Sequence, residues 1–384
     1  MKASNFFRCI PFVLFILIFL HAPAQEGKNA FNPPNRVFKP ELQLDKINLP
    51  DGFKINLYAE GIEDARSMSR ANDGTIFIGN RRKGKVWAVK DTDGDHKADK
   101  KYLIDAGLNM PNGLVFHKGD LYVAEVSRLI VYRDILNKLD QQPDYEIISQ
   151  RYPSDKHHGW KYMEMGPDGY LYIPVGAPCN ICDEKDPVYA SITRIKPDGT
   201  DFSIVAHGIR NTVGFDWHPE TGHLWFTENG RDRMGDDLPP DELNELTEFG
   251  QHFGYPFCHG NTISDPEFGD QASCNEFVKP IRELGPHVAA LGMKFYTGAM
   301  FPEEYKHAIF MAEHGSWNRT DKIGYRVMLS REKENGDYSY EVFADGWLEG
   351  DNVMGRPVDL LQLPDGSFLL SDDYAGVIYR ISYE

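Results

Sequence analysis

Hydrophobic and polar positions follow one recurring pattern along this chain: an apolar strand, a tight turn that carries Gly or Asp, and a second apolar strand. The pattern occurs six times, at intervals of roughly 45 to 60 residues, and short strands repeated at such a period are typical of propeller blades. We therefore predict an all-β fold, a six-bladed β-propeller. The copies are RSMSRANDGTIFIGN, NGLVFHKGDLYVAEV, HGWKYMEMGPDGYLYIPVG, RNTVGFDWHPETGHLWFTENG, LGMKFYTGAMFPEEYKHAIFMAEHG and RPVDLLQLPDGSFLLSDDYAG.

The two ends of the repeated region predict how the ring closes. FKINLYAE at 53–60 and GVIYRISYE at 376–384 have the composition of strands, and pairing them in one blade would remove an exposed sheet edge. Between the fourth and fifth copies, residues 231–290 insert loops rich in Asp, Pro, His and Gly. A long insertion on a rigid ring is often a functional loop.

The strand starts carry the first indication of chemistry. In a propeller the innermost strands begin around one central mouth, and the residues at those positions are polar and mostly cationic. We therefore predict a site for an anionic ligand, with the side chains at the strand starts surrounding one cavity. These residues are Arg66, Asn112, His158, Arg210 with Asn211, and Arg356.

The N-terminal segment predicts export. Lys2 and Arg8 precede the apolar run PFVLFILIFL, and a small-residue cleavage site ends near Ala24. A membrane anchor is the alternative, but the apolar run is shorter than the ~20 residues that a span requires. We expect a periplasmic or extracellular protein without a membrane span in the mature chain. The predicted order is a signal peptide at 1–24, a tail at 25–49 and the propeller at 50–384.

The cysteines fit an oxidising compartment. Cleavage would remove Cys9 and leave an even number, for which two local bridges, Cys179–Cys182 and Cys258–Cys274, are predicted. The CNIC segment also resembles half of a zinc or haem motif. However, Asp occupies position 183, where c-type haem attachment needs His, and no second CxxC follows.

Charge excludes some partners. The formal net charge of −17 disfavours nucleic acid and anionic membranes, so cations at the mouth would be a local exception. The loop DTDGDHKAD places carboxylates at alternate positions, which suits a hard cation such as calcium. Its match to an EF-hand is partial, and an acidic hairpin turn is the alternative. The candidate ligands to this structural calcium are Asp91, Asp93, Asp95 and Asp99.

Two strand starts suit catalysis. His158 could accept a proton near neutral pH, although a hydrogen-bonded structural role and the neighbouring His157 are rivals. Arg210 could clamp a carboxylate or stabilise a developing oxyanion. Its alternative role is a surface ion pair.

Several segments together resemble a known family. They are HGWKYMEMGPDGYLYIPVG, GIRNTVGFDWHPETGHLWFTENGRDRMGDDLPPDELNEL, FGYPFCHG, EHGSWNR and GRPVDLLQLPDGSFLLSDDYAGVIYRIS. In this order and spacing the chain resembles the soluble glucose/sorbosone dehydrogenases, six-bladed propellers that use pyrroloquinoline quinone (PQQ) and calcium to oxidise sugars. The similarity covers most of residues 50–384. PCNIC and GSWNR look closest to the sorbosone-like and aldose-dehydrogenase-like branch.

The resemblance implies roles for individual residues. His158 corresponds to the family's general base, and Arg210, with Asn211, to a pair at the reactive quinone carbonyl. Backbone carbonyls of Gly230 and Arg231 would bind the calcium that holds the cofactor. The cofactor-binding candidates from the rim are Arg356, which would pair with a cofactor carboxylate, and, more loosely, Arg319 and Arg326.

This chain departs from the family at three positions. Ala177 stands where the family has an Asp that orients the base, and Asp183 or Glu184 is the expected substitute. Val213 and Val358 stand where Gln and Arg are usual. Contacts to cofactor and substrate are therefore expected to differ from those of glucose dehydrogenases.

The leading hypothesis is a secreted PQQ- and calcium-dependent dehydrogenase that oxidises a sugar or sugar aldehyde by hydride transfer to the quinone. Because the chain contains no CxxCH haem site, an external cytochrome or quinone would reoxidise the cofactor. A calcium-dependent lactonase or other hydrolase on the same fold is one alternative. A non-catalytic carbohydrate-binding propeller is another, because fold alone does not fix function.

Overall fold

The structure, a computed structural model, describes Met1 and residues 42–384. Residues 42–384 form six antiparallel sheets arranged as the blades of a propeller, which confirms the predicted fold. Each of the six sequence copies supplies the first two strands of one blade. The innermost strands of neighbouring blades contact one another around the centre of the ring.

The blades follow the chain in order. Blade 1 contains Ala65–Arg70, Ile76–Asn80, Lys85–Lys90 and Lys100–Ala106; blade 2 contains Gly113–His117, Asp120–Ala124, Leu129–Tyr132 and Glu146–Ser149. Blade 3 contains Glu164–Met165, Leu171–Val175, Ser191–Ile195, Ser203–His207 and Gln251–His252; blade 4 contains Phe215–Trp217, Leu224–Glu228, Pro240–Leu246 and Arg282–Pro286. Blade 5 contains Ala290–Phe295, Ile309–Glu313, Arg326–Ser330 and Glu341–Ala344; blade 6 contains Pro357–Gln362, Phe368–Asp372, Val377–Tyr383 and Phe53–Glu60.

Short elements complete the described chain. Two small hairpins, Cys258–His259 with Ile263–Ser264 and Leu348–Glu349 with Asn352–Val353, lie outside the blades. The 3-10 helices are Leu44–Lys46, Ile135–Asn137, Cys274–Glu276 and Glu303–Tyr305.

The hydrophobic core is divided among the seams between blades. Six buried apolar clusters each join two neighbouring sheets. Between blades 5 and 6, for example, the rings of Phe310 and Phe368 lie 5.1 Å apart. The second strands are buried on both faces because each is covered by the adjacent blades, which explains their continuous apolar runs.

The ring closes as predicted. Phe53–Glu60 pairs antiparallel with Val377–Tyr383, from Phe53 opposite Tyr383 to Glu60 opposite Val377. Blade 6 therefore combines the N-terminal strand with the last three strands of the chain. This pairing covers the edge that an open ring would expose.

Part of the predicted tail belongs to the folded unit. Residues 42–49 place Leu42, Leu44 and Ile47 against the cluster between blades 5 and 6, and Asn48 pairs with Asp345. The predicted signal peptide lies outside the described residues. Among residues 42–384, no helix combines the length and apolar character needed to cross a membrane.

The long insertion pairs with blade 3 before the chain returns to blade 4. After Leu246, the chain pairs Gln251–His252 in parallel with the outer strand of blade 3. The Cys258–Cys274 disulfide then closes the insertion, with 5.4 Å between the Cα atoms. The second predicted bridge, Cys179–Cys182, is present as well, with a Cα separation of 6.2 Å.

Antiparallel pairing determines which residues reach the mouth. In blade 1, Ala65 at the start of the first strand lies opposite Asn80 at the end of the second, and blade 6 pairs Pro357 with Asp372 in the same way. The mouth edge of the ring is therefore formed by two sets of residues. One set precedes the first strands, and the other follows the second strands.

Candidate active site at the mouth of the ring

His158 is a buried and oriented histidine before the first strand of blade 3. Its Nδ1 lies 2.8 Å from the carbonyl oxygen of Ala177, so Nδ1 carries the proton and donates it while Nε2 keeps a lone pair. The backbone of His158 has a positive φ of 47°, a conformation that is uncommon outside glycine. Gly176 makes room for it, because a Cβ on Gly176 would lie 2.5 Å from the His158 Cβ.

The environment of His158 favours its neutral form. Burial, followed by the positive charges of Arg210 and His157, holds the pKa of His158 well below its usual value. A neutral imidazole with a free Nε2 can accept a proton. His157 is exposed, with its ring centroid 4.1 Å from that of His158.

The group that orients His158 differs from the one expected. Asp183 and Glu184 are both exposed, and His158 Nδ1 donates its hydrogen bond to the backbone carbonyl of Ala177. The expectation that one of these carboxylates substitutes for the family Asp was wrong. A main-chain carbonyl can fill the role because it needs no particular side chain at position 177.

Arg210 is a buried guanidinium surrounded by oxygen acceptors. It donates from Nε to the carbonyl of Asn180 (2.8 Å), from Nη1 to the carbonyl of Asn229 (3.1 Å) and from Nη2 to Asn180 Oδ1 (2.9 Å). It also pairs with Asp232 Oδ2 at 3.0 Å. The surface ion pair considered from sequence does not apply, since Arg210 is only 3% exposed.

Asn211 lies close to His158, with both side chains next to Gly176. Its Oδ1 would be 3.2 Å from a Cβ on Gly176, the same position that the His158 Cβ approaches. The side-chain amide of Asn211 forms no hydrogen bond within the part of the chain that the structure describes. It therefore retains its full capacity to bind a polar ligand.

Arg81 is a mouth residue that sequence reasoning missed. It follows the second strand of blade 1, and its guanidinium lies 3.5 Å from the centroid of the Trp160 ring. Burial, with Arg66 and Arg82 nearby, lowers the pKa of Arg81 to about 9. Its side chain forms no hydrogen bond or ion pair with the described residues. The repeat singled out residues at strand starts, whereas Arg81 follows the end of a second strand.

Arg356 stands at the start of blade 6, as predicted. Its guanidinium donates to the carbonyls of His314 (3.0 Å) and Gly315 (2.8 Å). Burial lowers the pKa of Arg356, and the side chain forms no ion pair with any described residue. The remaining N–H groups of its guanidinium are available to an anion.

Arg66 and Asn112 are structural instead of ligand-facing. Arg66 donates to Asn112 Oδ1 (2.8 Å) and to Asp373 Oδ2 (2.8 Å), and Asn112 Nδ2 donates to the carbonyl of Lys161 (2.7 Å). Both are fully buried, so the expectation that Asn112 lines the cavity was wrong. Their side chains link blades 6, 1, 2 and 3 below the surface of the mouth.

Asp373 connects these groups to blade 5. It accepts a hydrogen bond from His314 Nε2 at 2.8 Å and pairs with Arg66 at 2.8 Å. Burial alone would raise the pKa of Asp373, but His314, Arg66 and Arg356 outweigh it and hold the pKa below its usual value. Asp373 is therefore ionised and neutralises Arg66.

The two looser arginine candidates have protein partners. Arg319 lies in the mouth loop after the second strand of blade 5, where it donates to the carbonyls of Asp321 and Asp236. Arg326 starts the third strand of that blade and pairs with Glu313 at 2.7 Å. The structure therefore gives Arg326 a partner within its own sheet.

Gly230 and Arg231 follow the second strand of blade 4. The Gly230 N–H donates to Asp241 Oδ1 at 2.9 Å, and the Arg231 side chain pairs with Asp265 (2.6 Å) and Glu267 (2.9 Å) of the insertion. Their carbonyl oxygens accept no hydrogen bond from the described residues. Those two oxygens could bind a hard cation.

The floor of the mouth is apolar. Val213, Leu291 and Val358, from blades 4, 5 and 6, form one buried cluster against which Trp160 of blade 3 packs. Two of the departures from the family pattern, Val213 and Val358, therefore belong to one cluster.

The acidic loop of blade 1 lies at the opposite edge of the ring, between the third and fourth strands. Carboxylate oxygens of Asp91, Asp93 and Asp95 lie within 4.8 Å of one another. Asp99 instead accepts hydrogen bonds from the backbone and hydroxyl of Thr92. This cluster is separate from the mouth.

Comparison with known proteins agrees with this geometry. A family model described as TrAA12-like matches residues 47–382. The chain belongs to the TrAA12-like family. An uncharacterised protein of Borreliella burgdorferi is 35% identical over 88% of this chain and 91% of its own length. The motif-based resemblance is confirmed by a Hypocrea jecorina protein named a PQQ-dependent sugar dehydrogenase, 22% identical over 83% of this chain and 82% of its own length.

The same fold occurs in a solved structure. A Trichoderma reesei protein of carbohydrate-active enzyme family AA12 superposes with a TM-score of 0.75 at 19% identity, covering 88% of this chain and 98% of the other. At this identity the similarity shows the propeller fold. Roles for individual residues must come from their own surroundings.

Proposed function

We propose that this TrAA12-like protein is an oxidoreductase that uses PQQ and calcium to oxidise a sugar or sugar aldehyde. The proposal rests on one observation: the mouth edge of the ring carries a neutral, oriented His158 together with Arg81 and Arg356, arginines that have no carboxylate partner among the described residues. The name of the Hypocrea jecorina relative supports the same class of reaction.

The mouth fits the chemistry of the cofactor. PQQ is a quinone with three carboxylates, and arginines without acidic partners suit such an anion. The open amide of Asn211 adds a neutral donor and acceptor. The carbonyl oxygens of Gly230 and Arg231 are of the kind that calcium prefers. In the proposed complex, Arg81 and Arg356 bind carboxylates, while the two carbonyls bind the calcium.

The bound quinone would supply the two-electron acceptor that the twenty amino acids lack. The protein would supply the base and the electrostatics. His158 accepts the proton of a substrate hydroxyl at Nε2, and the Ala177 carbonyl stabilises the resulting imidazolium through Nδ1. The positive charge of Arg210 favours negative charge developing nearby. The floor of Val213, Leu291 and Val358 excludes water from below.

The acidic loop is proposed as a separate, structural calcium site. Three carboxylates with oxygens within 4.8 Å could share one hard cation. Calcium should then raise the melting temperature of the wild type more than that of the Asp93→Asn/Asp95→Asn variant, which keeps only the proposed mouth site. An equal rise in both proteins would contradict this site.

Export and an external electron acceptor complete the proposal. Two disulfides suit a periplasmic or extracellular protein, and cleavage near Ala24 would release the mature chain. A separate cytochrome or quinone would reoxidise the cofactor.

Reconstitution tests the function. Purified protein is titrated with PQQ with and without calcium, and turnover is measured with a panel of aldoses and sugar aldehydes against an artificial acceptor. We expect saturable binding and PQQ-dependent turnover. Arg133→Ala should bind PQQ and turn over like the wild type, because Arg133 lies on blade 2 and pairs with Asp120. It therefore serves as the control for variants of the mouth arginines.

The alternatives give different outcomes. Hydrolysis of a lactone with calcium and no PQQ would indicate the lactonase. Sugar binding without turnover would indicate the carbohydrate-binding propeller. Failure of the wild type to bind PQQ would contradict the quinoprotein function.

A further inference from the structure

The Cys179–Cys182 loop has contacts that the proposed chemistry does not use directly. We propose that this loop, through Asn180, is a positioning device that sets Arg210 relative to His158; the inference rests on the proposed function. The loop follows the second strand of blade 3 at the mouth edge. Asn180 in the loop contacts Arg210, and Ala177, just before the loop, contacts His158.

Asn180 supplies two of the oxygen acceptors around Arg210. Its carbonyl accepts from Nε at 2.8 Å, and its Oδ1 accepts from Nη2 at 2.9 Å. A planar guanidinium held on two of its nitrogens by one residue has little freedom to rotate. The position of Asn180 therefore determines the direction of the Arg210 guanidinium.

Asn180 is itself held by a second mouth loop. Its Nδ2 donates to the Asp232 carbonyl at 3.0 Å, and its Oδ1 accepts from the Asp232 N–H at 2.8 Å. Asp232 Oδ2 in turn pairs with Arg210. The three residues therefore form a closed set of hydrogen bonds between blades 3 and 4.

The disulfide fixes the loop from the other side. Cys179 and Cys182 are joined across three positions, and the Cys182 N–H donates to the Tyr255 hydroxyl at 3.0 Å. Tyr255 belongs to the insertion and its own N–H donates to Gly208. The insertion predicted as functional therefore reaches the mouth by supporting this loop.

The same segment also carries the partner of His158. Ala177 accepts from His158 Nδ1 through its carbonyl, and its N–H donates to the Arg210 carbonyl at 2.8 Å. Residues 177–182 thus fix the candidate base and the candidate cation together. A misplacement of about 1 Å in such a pair can cost up to roughly 100-fold in rate.

The experiment compares Asn180→Ala and Cys179→Ser/Cys182→Ser with the wild type. We expect kcat to fall roughly 10 to 100-fold, with PQQ affinity changed much less. Asn180→Asp retains the Oδ1 acceptor and should recover part of the loss. As the guanidinium moves from His158, the acid limb of the kcat/KM profile should shift to higher pH, while His157 and Arg81 continue to lower the His158 pKa.

A second readout uses the protein without cofactor. In ¹⁵N-arginine spectra, the Arg210 Nη2–H signals, assigned by their loss in Arg210→Lys, should exchange slowly in the wild type and more rapidly in Asn180→Ala, which removes the Oδ1 acceptor of Nη2 but keeps the main-chain acceptor of Nε. If wild-type protein lacks PQQ turnover, the proposed function fails while this measurement still tests the positioning. Equal protection of the Nη2–H signals in the wild type and in Asn180→Ala would overturn the inference.

The other disulfide provides the matched control. Cys258 and Cys274 are separated by 16 positions, whereas Cys179 and Cys182 are separated by 3. Cys258→Ser/Cys274→Ser should therefore lower the melting temperature more than Cys179→Ser/Cys182→Ser does. Its kcat should nevertheless stay within about threefold of the wild-type value. An equal loss of kcat in both disulfide variants would overturn the proposal, as would wild-type kcat in Asn180→Ala.

Discussion

The mouth of the ring and the layer beneath it have opposite electrostatics. At the mouth, Arg81 and Arg356 have no carboxylate partner within residues 42–384, and the pKa values of both arginines are lowered by burial. Further from the mouth, on the first strands of blades 3, 4 and 5, Lys294 lies 2.6 Å from Glu164 and 3.7 Å from Asp216. The apolar floor separates the two layers.

The deeper layer has an excess of carboxylates. Burial raises the pKa of Asp216 to about 6 and that of Asp359 to about 7, although Lys294 opposes both shifts. Asp359 accepts from the Met68 N–H of blade 1, and Asp216 accepts from the Phe295 N–H of blade 5. These acids join blades, whereas the mouth cations remain open to a ligand. Net charge therefore says little about a local site.

Removing the candidate base should have the largest effect. His158→Ala should slow turnover by about 10² to 10⁴-fold, because general-base catalysis typically contributes that much. PQQ affinity should remain close to wild type. Turnover at saturating cofactor is the measurement, and His157→Ala is the control. Full activity in the His158 variant would transfer the role of base to another group.

Removing the cation of the deeper layer should affect stability. Lys294→Met would leave Glu164, Asp216 and Asp359 without their buried counter-charge, at a cost of about 3 kcal/mol or more. Denaturant unfolding at pH 8 and pH 5 measures the effect. The loss should be smaller at pH 5, where the raised pKa values of Asp216 and Asp359 keep those carboxyls protonated. An equal loss at both pH values would contradict this explanation.

Truncating a mouth arginine should affect the ligand instead. Arg356→Ala loses a charge-assisted hydrogen bond worth about 1.5 to 3 kcal/mol, which corresponds to roughly 10 to 150-fold weaker PQQ binding. Arg81→Ala should weaken PQQ binding in the same direction. Equilibrium titration with calcium present is the measurement. Unchanged affinity in both variants would show that the mouth cations do not bind the cofactor.

The effect that is smallest per pH unit concerns the pH dependence of stability. The folded pKa of Asp359, about 7, lies above its unfolded value, so its contribution is present below pH 4 and is lost as pH rises through 7. Asp359→Asn should remove up to about 1 kcal/mol per pH unit of that slope. Denaturant unfolding from pH 4 to 8 tests this. An unchanged slope would assign the titration to other carboxyls.

The local pattern of the chain determined the architecture. Turn-linked apolar strands repeated six times predicted the blades, and the ring closure followed from the strands at both ends. Local spacing also predicted the Cys179–Cys182 and Cys258–Cys274 bridges. His158, Arg210 and Arg356 were found because strand starts are defined by the repeat itself.

The tertiary structure alone decided which of these side chains keep hydrogen-bonding groups without a partner among the described residues. Arg66 and Asn112 occupy strand starts yet are buried, because their side chains form hydrogen bonds between neighbouring blades. Arg81 reaches Trp160 only after the ring brings blades 1 and 3 together. The Ala177 carbonyl became the partner of His158 because backbone groups carry no sequence signature. Contacts of this kind join residues of different blades and form only when the ring closes, so the local pattern of the chain does not predict them.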